Sequence, residues 1–175
     1  MSADRTDAPL SGSGTHRRLS ASDVEELREL LRICWIDTYT GILPDSAIGT
    51  AIKEWQSKEA LLRGMENPRG YYAGYLVGGV LVGMVSAGKI APETMKIFQL
   101  YVRPGHQRRG IGNELMDGAI GHFASDAVRK VVLEVEEGNQ KGVSFYRKYG
   151  FAYPGKTVIK IDGNEILCLV GELYL

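Results

Sequence analysis

At 175 residues the chain fits one ordinary domain, and its 44% hydrophobic residues suffice for a packed core. Its 21 basic and 21 acidic side chains cancel, which speaks against nucleic acid or an acidic membrane surface as the main partner. With no apolar run near the ~20 residues of a membrane-spanning helix and no signal-peptide core at the start, the expected location is the cytoplasm.

Residues 1–16 are small and polar, with Ser11-Gly12-Ser13-Gly14 near their end, and read as a flexible tail before a domain over 17–175. Regular structure is expected from about Leu19. Ser22 and Glu25 have the spacing of a capping box, and Leu27, Leu30, Leu31 and Cys34 recur at helical spacing. Gly41 and Pro44 end that pattern. A second helix is expected over Asp45–Trp55, and Ser57 suits the cap of a third.

After the turn signal Asn67-Pro68-Arg69-Gly70 the period changes. Tyr71–Val77 and Val80–Ser86, joined by Gly78-Gly79, predict a β-hairpin, and Met95–Val102 a further strand. Ile111, Leu115, Ala119 and Phe123 step by four along one helix face. Val131–Glu136 reads as a strand. A helix follows from Asn139 to Tyr149, with Gly150 suited to a left-handed stop. Thr157–Ile161 and Glu165–Val170 flank Asp162-Gly163-Asn164, a second hairpin signal. The order predicts one α/β (α+β) domain with a mixed sheet flanked by helices. Cys34 and Cys168 have no metal-like or redox-like spacing; they read as reduced, buried thiols, and no metal site is expected.

The chemistry concentrates where the strand ending at Val102 runs through a short loop into a helix: Gln107-Arg108-Arg109-Gly110-Ile111-Gly112. A helix's first turn leaves backbone amides without partners, and with the helix dipole they form an anion site. Gly110 and Gly112 clear side chains from that backbone, while Arg108 and Arg109 add positive charge. A Walker loop would need Lys then Ser or Thr after the last glycine, and a dinucleotide fingerprint would need a third glycine where Leu115 stands. Neither fits. His106 reads as a loop surface group. Glu134 and Glu136 share one face of their strand by the period of two; either is placed to take a proton through water, with Glu134 the one assigned.

Two segments resemble known signatures. Gln107–Gly112 is similar to the Q/R-x-x-G-x-G/A signature of the GCN5-related N-acetyltransferase (GNAT) family, and Asn139–Phe151, containing Phe145-Tyr146 and Gly150-Phe151, resembles its second. The resemblance spans Tyr71 to the C-terminus and implies a sheet with splayed central strands. It implies acetyl-CoA as acyl donor, bound by Leu100, Tyr101, Val102, Gln107, Arg108, Arg109, Gly110, Ile111, Gly112, Asn139 and Tyr146, with Tyr146 the acid at the leaving sulfur. The implied reaction is direct attack by an amine in a ternary complex. Trp35 and Tyr39 are the implied acceptor contacts, and Trp35–Pro44 is similar to bacterial members that include polyamine acetyltransferases. Two positions depart from the family pattern: Gly142 stands where Ala is usual, and Gln99 stands near where many members carry a Glu. The expected function is N-acetylation of a small primary amine, such as a polyamine-like or amino-acid-like one, with a homodimer left open as the assembly. A non-catalytic acyl-CoA-sensing module of the same fold, or a protein or peptide acetyltransferase, is the alternative.

Overall fold

The computed structural model describes residues 14–175. Most of the expected tail, residues 1–13, lies outside the described residues. Thr15 and His16, expected in that tail, instead open strand β1 (Thr15–Arg18), which pairs antiparallel with β2 (Gly70–Val77) at the sheet edge. Three helices separate these strands: α1 (Val24–Tyr39), α2 (Asp45–Glu54) and α3 (Lys58–Glu66). Then follow β3 (Val80–Ala91), β4 (Thr94–Val102), α4 (Ile111–His122), β5 (Lys130–Glu136), α5 (Gln140–Tyr149), β6 (Ala152–Ile161) and β7 (Asn164–Tyr174).

The seven strands form one sheet in the order β1-β2-β3-β4-β5-β7-β6. Every neighbouring pair is antiparallel except β4 and β5, which are parallel. That pair registers only at Thr94–Lys96 with Lys130–Val132. Beyond it the strands part, so β4 from Ile97 to Val102 has a backbone edge without a strand beside it. A bulge sits at the parting: Ser86 pairs with Gln99 and Ala87 with Ile97, leaving Phe98 as the extra residue of β4. A bulge bends its strand and increases local twist, which turns β4 away from β5. The splayed central strands are thus a product of three-residue pairing and a bulge.

Different helices cover the two faces. On one, Leu27, Leu30 and Leu31 of α1 and Leu61 of α3 pack with Leu81 and Met84 of β3, and Ala47, Ile48 and Ala51 of α2 pack with Ile161, Ile166 and Cys168. On the other, Ile111, Leu115 and Val143 from α4 and α5 join Val82, Val85, Ile97, Val131 and Leu133. A Cβ on Gly83 of β3 would lie 3.1 Å from Ile111 and Leu115, so this glycine lets the first turn of α4 settle onto the sheet. Leu27 is 0% exposed. Leu27→Ala is expected to cost about 2–5 kcal/mol, read by urea unfolding, because the deleted atoms leave a cavity as well as lost contacts. A loss below ~1 kcal/mol would mean the α1 face repacks freely.

The start of α1 differs from expectation. A single 3-10 turn, Ala21–Asp23, precedes the helix and moves the cap upstream, so Asp23 rather than Glu25 accepts from the backbone N–H of Ser20 at 2.8 Å. Glu25 accepts from Arg28 at 2.9 Å instead. Ser57 does cap α3, accepting from the Ala60 amide at 3.3 Å.

Candidate functional site

The loop after β4 is pinned at both ends. The Gln107 side-chain amide donates to the Val102 carbonyl at 3.0 Å, holding the loop against the strand end. Gly110, at φ +84°, is the N-cap of α4, and a Cβ there would meet nothing within 4 Å. The Glu114 amide makes the first helical bond, to the Gly110 carbonyl at 3.1 Å. The amides of Ile111, Gly112 and Asn113 therefore belong to the open first turn. Arg108, with φ +65°, and Arg109 are exposed beside it. An open first turn with its dipole, flanked by two exposed arginines, suits a pyrophosphate.

The two glycines differ in what surrounds them. A Cβ on Gly112 would lie 3.0 Å from the Phe145 ring, so Gly112 makes room for α5. Only Gly110 borders open space. Gly142, the departure from the family pattern, also has a local cause. Asn139 caps α5 by accepting from the Gly142 amide at 3.0 Å, and a Cβ on Gly142 would lie 2.8 Å from that same Asn139 side-chain amide. Gly150 ends the helix at φ +121°.

Tyr146 projects from α5 into an aromatic nest, 5.2 Å from Phe145 and 5.7 Å from Phe151 between ring centroids. Burial first, then the Tyr39 and Tyr153 hydroxyls, push it well above the ordinary tyrosine value, so it stays protonated. Tyr39, at the end of α1, and Tyr101 of β4 place their hydroxyl oxygens 3.4 Å apart. Burial raises both as well. Three neutral hydroxyls from α1, β4 and α5 thus gather where β4 leaves β5.

Beside them lies a groove of about 100 Å³ lined by Trp35, Tyr39, Trp55, Glu134, Glu136 and apolar side chains of β6 and β7. Trp35 meets Tyr39 at 4.5 Å and Trp55 edge-on at 5.9 Å. Among the described residues its Nε1 is buried without a hydrogen-bond partner. The two carboxylates differ. Glu134 is ion-paired to Lys96 at 3.0 Å. Glu136 accepts from the Gly138 amide at 2.9 Å through Oε1, while its Oε2 is buried and accepts no hydrogen bond from the described residues. A broader hollow of about 600 Å³, lined by Arg18, Asn67, Tyr71 and His122, opens around β1 and β2, with β3 and β4 between it and β5.

Of the residues singled out in the sequence, Trp35, Tyr39, Glu134 and Glu136 line one groove, and Trp55, which had no flag in the sequence, lines it with them. His106, expected on the surface, is 6% exposed, because the 3-10 turn Pro104–His106 folds it inward. Cys34 and Cys168 are free and buried, and burial pushes their thiols up to about 12 and about 11. Both stay protonated at neutral pH and are poor nucleophiles. Among the described residues no helix is long and apolar enough to cross a membrane.

Residues 24–151 match the model of the acetyltransferase (GNAT) family. The chain is 32% identical over 155 residues to a spermidine N(1)-acetyltransferase of Thermoplasma acidophilum, covering 86% of this chain and 92% of the relative. It is 33% identical over 111 residues to the N-alpha-acetyltransferase RimI of Mycobacterium tuberculosis, covering 61% and 68%. A crystal structure of the PaiA N-acetyltransferase from Thermoplasma acidophilum with coenzyme A superposes with a TM-score of 0.79 at 29% identity, covering 94% of this chain and all of that one.

Proposed function

The chain belongs to the GNAT family and is an acetyl-CoA-dependent N-acetyltransferase; on that premise we propose that its acceptor is a small, positively charged aliphatic amine. The observation that carries this reading is the groove beside the splayed strands, where three aromatic side chains and two carboxylates meet an apolar floor. Aromatic faces and carboxylates favour a cation, and apolar walls favour its methylene chain. The spermidine acetyltransferase relative acts on a molecule of that class.

Acetyl-CoA supplies an activated thioester. In our assignment the open first turn of α4, with Arg108 and Arg109, holds its pyrophosphate, and Gln107 keeps the loop in place. The unpaired backbone edge at Leu100–Val102 takes the pantetheine arm and supplies a hydrogen-bond donor to the thioester oxygen as negative charge grows there. Asn139 contacts the same arm while capping α5. Glu134, reached through water, accepts the proton that the attacking amine must lose. Tyr146 donates its hydroxyl hydrogen to the departing sulfur. Trp35 and Tyr39 flank the acceptor.

The test is thiol release from acetyl-CoA with a panel of amines and N-terminal peptides. Turnover of aliphatic di- and polyamines at least about tenfold more efficient, in kcat/KM, than that of any peptide is the expected result. Turnover confined to peptides would replace the small-amine reading with a protein-directed one.

A further inference from the structure

Two carboxylates line the groove, and among the described residues only one of them has a lysine partner. Glu134 pairs with Lys96, Glu137 with Lys156, and Asp37 with Lys141 at 3.9 Å. Among the described residues Glu136 has no basic partner in ion-pair range. Its Oε1 is engaged by the Gly138 amide, and its Oε2 is buried and accepts no hydrogen bond from the described residues. A carboxylate oxygen held out of water without a donor is unfavourable unless a ligand brings the donor.

The surroundings define that donor. Trp35, 5% exposed, and Tyr39 wall one side, and Trp55, 42% exposed, stands at the rim with its ring edge-on to Trp35. Such rings attract a cation to their faces. Ile161 and Ile166 line the floor. The groove's volume of about 100 Å³ is well below the ~300–1,000 Å³ of a pocket for a whole ligand. It has room for an ammonium head on a short methylene stem.

We propose that Glu136 is the specificity-determining residue of the acceptor groove: its carboxylate holds an ammonium of the acceptor other than the nitrogen that is acetylated. This rests on the small-amine reading above. The reacting nitrogen must be neutral when it attacks, so a carboxylate that keeps an ammonium throughout binds a second nitrogen. Glu136 therefore selects acceptors with two amines joined by an alkyl chain over monoamines of equal length. Glu134, already paired with Lys96, supplies no such selection.

The experiment compares kcat/KM for 1,4-diaminobutane and n-butylamine in the full-length wild type and in Glu136→Gln. The wild type should prefer the diamine by at least about tenfold, the order of one desolvated charge pair. Glu136→Gln should bring the ratio to within about twofold of unity, with the diamine's loss in KM more than in kcat. Trp55→Ala, at a position 42% exposed, should lower the same ratio and guards against misfolding of the first variant. A diamine preference that survives Glu136→Gln, or a loss equal for both amines, overturns the assignment alone. A wild type that acetylates neither amine overturns the small-amine reading and the assignment with it.

Discussion

Gly110→Val is expected to weaken acetyl-CoA binding at least about 100-fold, and Gly112→Ala by less than about fivefold, in calorimetric titrations of the two variants. The difference follows from what each position borders. At Gly110 the backbone holds φ +84° and the space beyond a Cβ is open. A β-branched residue there is strained by roughly 1–2 kcal/mol, and its methyl groups would fill the space assigned to pyrophosphate. Losing two charge-assisted amide contacts at ~1.5–3 kcal/mol each removes about 3–6 kcal/mol, and every 1.4 kcal/mol is about tenfold in affinity. At Gly112 a methyl group meets the edge of the Phe145 ring, which is partly exposed and able to turn aside. Gly110→Val binding within threefold of wild type, with the fold intact by circular dichroism, would remove the α4 start as the phosphate cradle.

Legibility in the sequence followed how locally each feature is determined. The hairpin of β2 and β3 announces itself through Gly78-Gly79 and two apolar runs, and the α4 stripe through its four-residue steps. Strand β1 has no such mark: Thr-His-Arg-Arg is mostly exposed at the sheet edge and is held by backbone pairing with β2. Strand β3 runs five residues beyond the expected Ser86, to Ala91, where Lys89, Ile90 and Ala91 have left the core and carry little burial signal. The bulge at Phe98 depends on register between β3 and β4, which no local pattern encodes. The start of α4, to which we assign the pyrophosphate, was legible because left-handed backbone at Gly110 favours a residue without a side chain. The groove was less so. Trp35 and Tyr39 stand on one helix face, but Trp55 reaches them only through the packing of α2. That Glu136 lacks a cation depends on where Lys96, Lys141 and Lys156 fall in space.

Tyr146→Phe is expected to lower kcat by about 10²–10³ while acetyl-CoA affinity changes less than about threefold. The substitution deletes one hydroxyl and keeps the ring that packs on Phe145 and Phe151, so the aromatic nest and the end of α5 persist. A positioned acid contributes typically about 10²–10⁴-fold, and its removal appears in turnover because sulfur gains charge only as its bond to carbon breaks. The direction of the Tyr146 shift adds a second signature. Burial raises its value, so the protonated form persists above the ordinary tyrosine value near ~10. The hydroxyl is a hydrogen-bond donor at every working pH, and no fall in wild-type kcat below about pH 10 should come from its ionisation. A decline in kcat at low pH should survive in Tyr146→Phe, because it reports a group that must lose a proton, which Tyr146 already holds. Unchanged kcat in the variant would leave Tyr146 a packing residue. A low-pH limb that disappears with the hydroxyl would mean that Tyr146 also serves the amine's proton, and Glu134 would lose its assignment.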